Sequence, residues 1–127
     1  SMSSADKTKL DGIEAGTYTP TLTNVTNVAA STAYSCQYMW VGSVVTVSGR
    51  VDIDPTAAAA TRLDISLPIA SALANAYELA GVAASSAVAG YVAAIQGAAG
   101  TDSAAMSFIA SEHANRTWSF TFTYRII

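Results

Sequence analysis

Two aspartates, Asp52 and Asp54, are the first candidates for chemistry, because they occupy alternate positions in one β-type segment. Alternate residues of a strand point to the same face and lie roughly 7 Å apart. That separation is close to the range for the paired carboxylates of glycosidases, and such a pair can hold a divalent cation if further oxygens converge. The alternative, which we expect, is that both face solvent and that Asp54 begins the turn before Pro55.

The single histidine, His113, lies in the polar segment Ser111-Glu112-His113-Ala114-Asn115 between two apolar runs. This break predicts a loop, and loops on a rigid scaffold often carry binding residues. Glu112 is placed to orient the imidazole. A serine nucleophile is not indicated, because no G-x-S-x-G pattern occurs in the sequence. We expect a solvated loop residue first and a ligand contact second.

Aromatic residues are numerous for a chain with so few charges: Tyr18, Tyr34, Tyr38, Trp40, Tyr77 and Tyr91. Aromatic faces stack on sugar rings, and polar side chains complete the contacts of a carbohydrate site. The alternative for each tyrosine is a place in the core. We predict ligand contacts for Trp40, Tyr91, Asp102, Glu112 and His113, where Trp40 and Tyr91 contribute only if they are exposed.

The sequence has few residues that could bind a metal ion or carry thiol chemistry. Cys36 is the only cysteine, which excludes an internal disulfide and a Cys-based zinc site. His113 has no second histidine with which to form a cluster. The apolar alternation around Cys36 predicts a buried thiol that behaves as a small hydrophobic residue. We expect no metal, no cofactor and no catalytic residue.

The charge content indicates association. The 127 residues include 6 basic and 9 acidic side chains, and charged residues make up 12%, against about 25% in an average soluble domain. The length fits one domain. A monomer of this mass exposes on the order of 6,300 Å², so its charges are spread unusually thinly. Neutral surface with apolar patches tends to associate, and we expect part of it to lie against other subunits.

Two kinds of partner are not expected. A net charge of −3 gives no basic field for nucleic acid. Residues 79–101 carry no charge and are numerous enough to span a bilayer. Ala, Gly and Ser dominate them, however, so we expect no membrane insertion. The start, Ser1-Met2, looks like a tag-cleavage scar with no signal peptide after it.

The elements that position these residues are mostly strands. One face collects Trp118, Phe120, Phe122, Tyr124 and Ile126, and another collects Val45, Val47, Gly49, Val51 and Ile53. Shorter patterns place Tyr34, Cys36, Tyr38 and Trp40 on one face, and Leu63, Ile65 and Leu67 on another. Period-two alternation with turn signals at regular spacing predicts an all-β fold, an antiparallel β-sandwich or jelly roll.

Two regions are harder to assign. Residues 57–60 and 70–99 are rich in alanine, a helix former, but glycines interrupt them. We predict strands of small residues there, including 82–84 and 88–94, whose short side chains permit close approach of another sheet or subunit. In residues 1–16, Ser4 or Asp6 can cap a short helix that Gly12 or Gly16 ends. We predict a neck over 1–16 and a β domain over 17–127.

Several motifs resemble one family. The segment Ala5-Asp6-Lys7-Thr8-Lys9-Leu10-Asp11-Gly12-Ile13-Glu14-Ala15-Gly16 resembles the "ADKxKLDGIEAGA" segment that precedes the terminal receptor-binding domain of bacteriophage tail fibres. Similar counterparts follow at residues 18–24, 38–42, 47–56 and 121–126. The resemblance is weaker in the alanine-rich middle. Trp40 departs from it, because many relatives carry a basic residue there.

The resemblance implies a non-enzymatic homotrimer at the distal end of a tail fibre in the virion, adhering to a bacterial capsule polysaccharide or lipopolysaccharide. It carries over no catalytic residues. The alternatives are a tailspike-type capsule depolymerase and a purely structural trimerisation domain. With the neck directed toward the virion, the receptor should meet the far end or the flank. We expect binding to depend little on salt; a steep dependence would point to Arg62 or Arg116.

Overall fold

The computed structural model describes residues 13–127, which form ten strands and a single 3₁₀ turn at Ala76–Glu78. The strands are β1 (Ile13–Tyr18), β2 (Leu22–Thr26), β3 (Val28–Ala33), β4 (Cys36–Val41), β5 (Val44–Pro55), β6 (Ala60–Ser66), β7 (Leu79–Ala84), β8 (Val92–Ala98), β9 (Ser103–Ile109) and β10 (Arg116–Arg125). Residues 13–16 of the predicted neck belong to β1. The helix start at Ser4 or Asp6 lies outside the described residues.

Hydrogen bonds join the strands into one antiparallel sheet, in the order β1-β4-β5-β10-β7-β8-β9-β6-β2, and β3 pairs with β5. The twelve-residue β5 has two partners along one edge, β4 at its start and β3 at its end. The sheet curls until β2 approaches β3, where the Ser31 hydroxyl donates a 2.6 Å hydrogen bond to Asn24 Oδ1. The prediction of an antiparallel all-β fold is confirmed.

The core fills the inside of this curl. Trp118, Phe120, Phe122 and Tyr124 of β10 are buried, while the residues between them are exposed. The predicted face of β10 is therefore confirmed, as expected for a strand that is apolar on one side only. The apolar positions of β5 and β6 are buried in the same core.

Small residues let neighbouring strands approach closely. An added Cβ at Gly81 of β7 would meet the carbonyl oxygen of Thr121 and the backbone of Phe122. The Cys36 side chain occupies the space beside Gly49, and the thiol is buried as predicted. Burial raises the pKa of this thiol, because the apolar surroundings disfavour the thiolate.

The alanine-rich region contains two of the predicted strands, β7 and β8. Residues 56–59 and 86–90 instead form bends and turns between strands. The prediction of strand at 57–59 and 88–90 is therefore wrong. Gly90 has a φ of +77°, a left-handed conformation that glycine adopts without steric cost. Because of this turn, β8 begins only at Val92, whereas the alternation of side chains in the sequence predicted a strand from residue 88.

Tyr34 does not share a face with Cys36, contrary to the prediction. The extended segment is interrupted at residues 34–35, between β3 and β4. Its hydroxyl reaches Asp52, which lies on the outer face of β5, whereas Cys36 is in the core. A break in the strand resets the alternation of faces, and the period-two pattern continues only from Cys36.

The sheet has two distinct ends. Ile13 pairs with Val41, so β1 enters at what we call the near end, together with the 42–43 and 99–102 turns. The far end consists of the Asn27 turn and the loops at residues 56–59, 85–91 and 110–115. Within residues 13–127, no helix has the length and apolar character needed to cross a membrane.

Asn27 ties the far-end loops together. It has a φ of +57°, which asparagine tolerates better than most residues. Its side-chain amide donates to the carbonyl of Ala57 at 2.8 Å, and its Oδ1 accepts from the Ala57 N–H at 3.0 Å. A backbone hydrogen bond from Ala110 to Ala59 extends the connection to the next loop. These hydrogen bonds connect the Asn27 turn, the 56–59 bend and the 110–115 loop with one another.

Candidate functional site

The five predicted contact residues do not form one site. Glu112 and His113 lie in the far-end loop, whereas Trp40 and Asp102 lie toward the near end. Trp40 pairs with Val45, and Arg116 pairs with Ile53. Those two positions of β5 are eight residues apart, or about 27 Å in a regular strand. Trp40 is half-buried, and its indole N–H donates to the carbonyl of Gly42 in the adjoining turn.

Tyr91 belongs to the core. Its side chain is only 6% exposed, and its ring centroid lies 4.6 Å from that of Trp118 and 5.7 Å from that of Phe108. Tilted and edge-on contacts of this kind stabilise buried aromatic groups. The predicted ligand contact required an exposed ring, so it is corrected: Tyr91 seals the core beneath the far-end loops.

Glu112 is engaged by Arg116 and not by His113. The Arg116 Nε donates to Oε1 and its Nη2 donates to Oε2 at 3.1 Å. These hydrogen bonds lower the pKa of the Glu112 carboxyl, because they favour its charged form. The expectation that Glu112 orients the imidazole is therefore corrected. His113 is exposed beside this ion pair.

The Asp52 carboxylate faces outward but is covered, so the expectation of a solvent-facing side chain is wrong for it. It accepts hydrogen bonds from Tyr34 at 2.7 Å and from Thr117 at 2.8 Å. Desolvation raises its pKa, but these two hydrogen bonds and the nearby Arg50 outweigh that effect, and the net pKa is lowered. A group held ionised suits a structural acceptor better than a general acid.

A groove that the sequence analysis missed runs along the outer face of β6 and β9. It consists of three adjoining depressions of about 390, 380 and 160 Å³. Arg62 and Ser107 line the first two, and Thr101 lines the first and the third. The polar lining includes Arg62, Asp64, Gln96, Thr101, Asp102 and Ser107, together with several threonines and serines of β2, β6 and β9. We call this feature the flank groove.

Strand register brings the groove residues together. Arg62 of β6 lies opposite Ser107 of β9, and Asp64 lies opposite Ala105, which in turn lies opposite Gln96 of β8. Outward positions on adjacent strands are about 4.8 Å apart, so these side chains share one surface. Asp102 closes the near end of the groove and also accepts a 2.9 Å hydrogen bond from the Leu73 N–H.

A two-point ion pair lies along the middle of the groove. The Arg62 Nε donates to Asp64 Oδ1 at 2.9 Å, and its Nη2 donates to Oδ2 at 3.1 Å. The Asp64 side chain is 6% exposed, whereas that of Arg62 is 40% exposed. The guanidinium carries five N–H donors. Two of these bind Asp64, and within residues 13–127 the other three have no protein partner.

The only sequence signal for this pair is a repeated spacing. Arg50-Val51-Asp52 and Arg62-Leu63-Asp64 both place an arginine two residues before an aspartate on a strand. Residues spaced by two share a face. The first pair is looser, with 3.8 Å between Arg50 Nε and Asp52 Oδ1, and the Arg50 guanidinium lies 4.0 Å over the Tyr34 ring.

A second outer surface is apolar. Val82 and Val92 are 62% and 63% exposed, and with Ala84 and Ala94 they line a shallow depression of about 740 Å³ on β7 and β8. Ser119 and Thr121 of β10 border it. We call it the apolar patch. Exposed clusters of this kind mark surfaces that bind other molecules.

The described residues offer no evident metal centre, since within 13–127 no three His, Cys, Asp or Glu side chains are grouped so that they could hold an ion. Comparison with known proteins adds no identification: no family model matches the chain, and no curated protein or solved structure is significantly similar to it. The features that bear on function are the residue motifs and the geometry of the two outer surfaces.

Proposed function

We propose that this chain is the distal, receptor-binding domain of a bacteriophage tail fibre and that it binds a bacterial surface glycan without cleaving it. The observation that carries the proposal is the flank groove. It presents guanidinium, amide and hydroxyl groups along an open surface, and these groups can exchange hydrogen bonds with the hydroxyls of a polysaccharide. The neck motif at residues 5–16 supports the same assignment by resemblance.

The arrangement of the ends fits a fibre tip. The chain enters the sheet at the near end through Ile13, so a preceding fibre would adjoin that end. The groove lies on the flank and the 110–115 loop lies at the far end, and both stay accessible. Asn27 holds the 56–59 bend, and the ion pair of Glu112 and Arg116 braces the 110–115 loop against β10. A fixed scaffold reduces the entropy lost on binding.

We also propose that the domain is a β-sandwich and that it assembles as a homotrimer. The curled sheet would enclose its core in the manner of a β-sandwich, and three copies would associate through the apolar patch. Small residues at Ala84 and Ala94 allow close contact, and Val82 and Val92 supply apolar area. Three identical grooves on one particle would provide avidity even when each binds weakly.

The test is adsorption of the purified protein to bacterial cells and to polysaccharides isolated from them. Fluorescently labelled protein is incubated with a panel of strains, and with derivatives that lack capsule or the outer part of lipopolysaccharide. We expect adsorption to some strains and its loss when the polysaccharide is removed. Reducing ends are measured in the same samples.

The outcomes separate the candidate functions. Adsorption without new reducing ends supports the adhesin. Release of reducing ends would indicate a capsule depolymerase and contradict the proposal. Absence of adsorption across the panel, with a stable assembly of three chains, would contradict it in favour of a structural trimerisation domain.

A further inference from the structure

We infer that the flank groove selects an uncharged sugar segment, that Arg62 contacts its hydroxyl groups, and that Asp64 enforces this choice by holding and neutralising Arg62. This inference rests on the proposed function, since it specifies the class of glycan for the same groove. The groups that carry it are the forked guanidinium of Arg62, the nearly buried carboxylate of Asp64 and several neutral polar side chains of the groove.

The charge balance of the groove disfavours acidic sugars. The ionisable residues that line it are Arg62, Asp64 and Asp102, which give one positive and two negative charges. The positive charge is already paired with Asp64 at 2.9 and 3.1 Å. A carboxylate or phosphate on the ligand would meet a guanidinium whose charge Asp64 already balances, and it would lie beside the negative charges of Asp64 and Asp102. It would lose its hydration without a net electrostatic attraction, and drawing Arg62 away from Asp64 would leave a nearly buried carboxylate without its partner, which is strongly unfavourable.

The remaining donors suit hydroxyl groups. Among the contacts of residues 13–127, three N–H groups of Arg62 stay free when two bind Asp64, and hydroxyl oxygens accept from such donors. Gln96 adds an amide that both donates and accepts, and Ser107 and Thr101 add hydroxyls. Neighbouring sugar hydroxyls likewise donate and accept side by side. The groove therefore offers complementary hydrogen bonding without a net attraction for anions.

The shape suits a chain and not a single compact molecule. Small residues, including Gly97, Ala98 and Ala105, form the floor of the groove. Their short side chains leave the space between the polar side chains open. The depressions follow β9 from Ile109 toward Ser103, a distance of roughly 20 Å in a regular strand. Several linked sugar rings can lie along that length.

Asp64 is a positioning residue in this arrangement, and its removal should change which glycan binds. The variant Asp64→Asn keeps the size of the side chain but leaves the charge of Arg62 unbalanced. We expect the variant to lose affinity for neutral polysaccharide and to gain affinity for acidic polysaccharide. The gain should weaken as salt is added, because screening acts on charge attraction. A residue with a merely structural role would not invert the preference.

The experiment measures binding to two sets of immobilised bacterial polysaccharides, one neutral and one rich in uronic or sialic acid, at low and high salt. The wild type should prefer the neutral set by about tenfold or more, the range expected when a charged group must be desolvated without a partner. Arg62→Lys keeps the charge but loses the planar fork, and it should weaken neutral binding. Arg50→Lys changes the matching pair on β5 and serves as the control that leaves binding unchanged.

Four outcomes decide the inference. An inverted preference in Asp64→Asn, with weaker neutral binding in Arg62→Lys, supports it. Preference of the wild type for acidic polysaccharide overturns it. Unchanged binding in both groove variants, each shown by its melting curve to be folded, overturns it while the adhesin proposal stands. A wild type that binds neither set nor any cell overturns the proposed function and the inference together.

Discussion

The Tyr34 hydroxyl donates a 2.7 Å hydrogen bond to Asp52 Oδ2, while Thr117 donates a 2.8 Å bond to the other oxygen of the same carboxylate. The Asp52 side chain on β5 thereby links Tyr34, in the segment between β3 and β4, to Thr117 of β10. This connection compensates for the backbone pairing that is interrupted at residues 34–35. It makes Asp52 a structural acceptor whose charge contributes to stability.

Asp52→Asn should lower stability at neutral pH, by about 1–3 kcal/mol, since hydrogen bonds to a charged acceptor are lost. The folded-state pKa of Asp52 is lowered, so its contribution is fully present above the unfolded pKa of about 3.9. It is lost as the pH falls through the folded pKa. Urea denaturation should show that the difference between variant and wild type shrinks as the pH is reduced through this range.

Asp54→Asn is the matched control, because it removes the same charge two residues further along β5. We expect a smaller effect at neutral pH than that of Asp52→Asn. Equal losses in the two variants, with the same pH dependence, would show that net charge and not the contacts of Asp52 is responsible.

Gly81→Ala should destabilise the fold by about 1–3 kcal/mol, the usual cost of overpacking. The added methyl would meet the Thr121 carbonyl and the Phe122 backbone in the middle of the sheet. Gly100→Ala is the control, since nothing lies within 4 Å of a Cβ at that position. Calorimetry on both proteins checks this, and similar melting temperatures would contradict the close approach of β7 to β10.

Val82→Asp should dissociate the proposed trimer and leave the subunit folded. Val82 is exposed on the apolar patch, so a charge there costs little in the monomer but is unfavourable in a buried contact. Ser111→Asp places the same charge on the exposed far-end loop and should leave the molar mass of the assembly equal to that of the wild type. Light scattering measures both. A wild type that is a stable 13.0 kDa monomer at micromolar concentration would contradict the assembly.

Tyr91→Ala should reduce stability by about 3 kcal/mol, because it opens a cavity beside Trp118 and Phe108. His113→Ala, in the exposed loop, should leave the melting temperature close to that of the wild type. Thermal unfolding of the two variants checks the contrast. A Tyr91 variant that melts normally would place this ring outside the core.

Patterns within one strand were predictable from the sequence. The alternation of aromatic residues and threonine in β10 predicts which side chains enter the core, because the period of a strand is two. Valine alternation did the same for β5. Glycines that interrupt the alanine-rich region favoured strands over helices at β7 and β8, in spite of the high alanine content.

Features that depend on several strands were not predictable. Tyr91 enters the core because β9 and β10 bring Phe108 and Trp118 beneath it. Asp52 is covered because the break at residues 34–35 turns the Tyr34 side chain to the outer face, where its hydroxyl reaches the Asp52 carboxylate. The flank groove requires the register of β6 against β9 and of β9 against β8. A single sequence does not specify these pairings, and Arg62 stands out only through its spacing from Asp64.

One row of paired residues links the two outer surfaces: Arg62 lies opposite Ser107, Ser107 opposite Ala94, and Ala94 opposite Val82. Three strand spacings, about 14 Å, separate its ends. A neighbouring subunit seated on Val82 would therefore end within a side chain's reach of a sugar seated at Arg62. If occupancy of one surface alters the affinity at the other, thermodynamic linkage makes the effect reciprocal. The subunit dissociation constant would change with glycan concentration, by the same factor by which assembly changes glycan affinity.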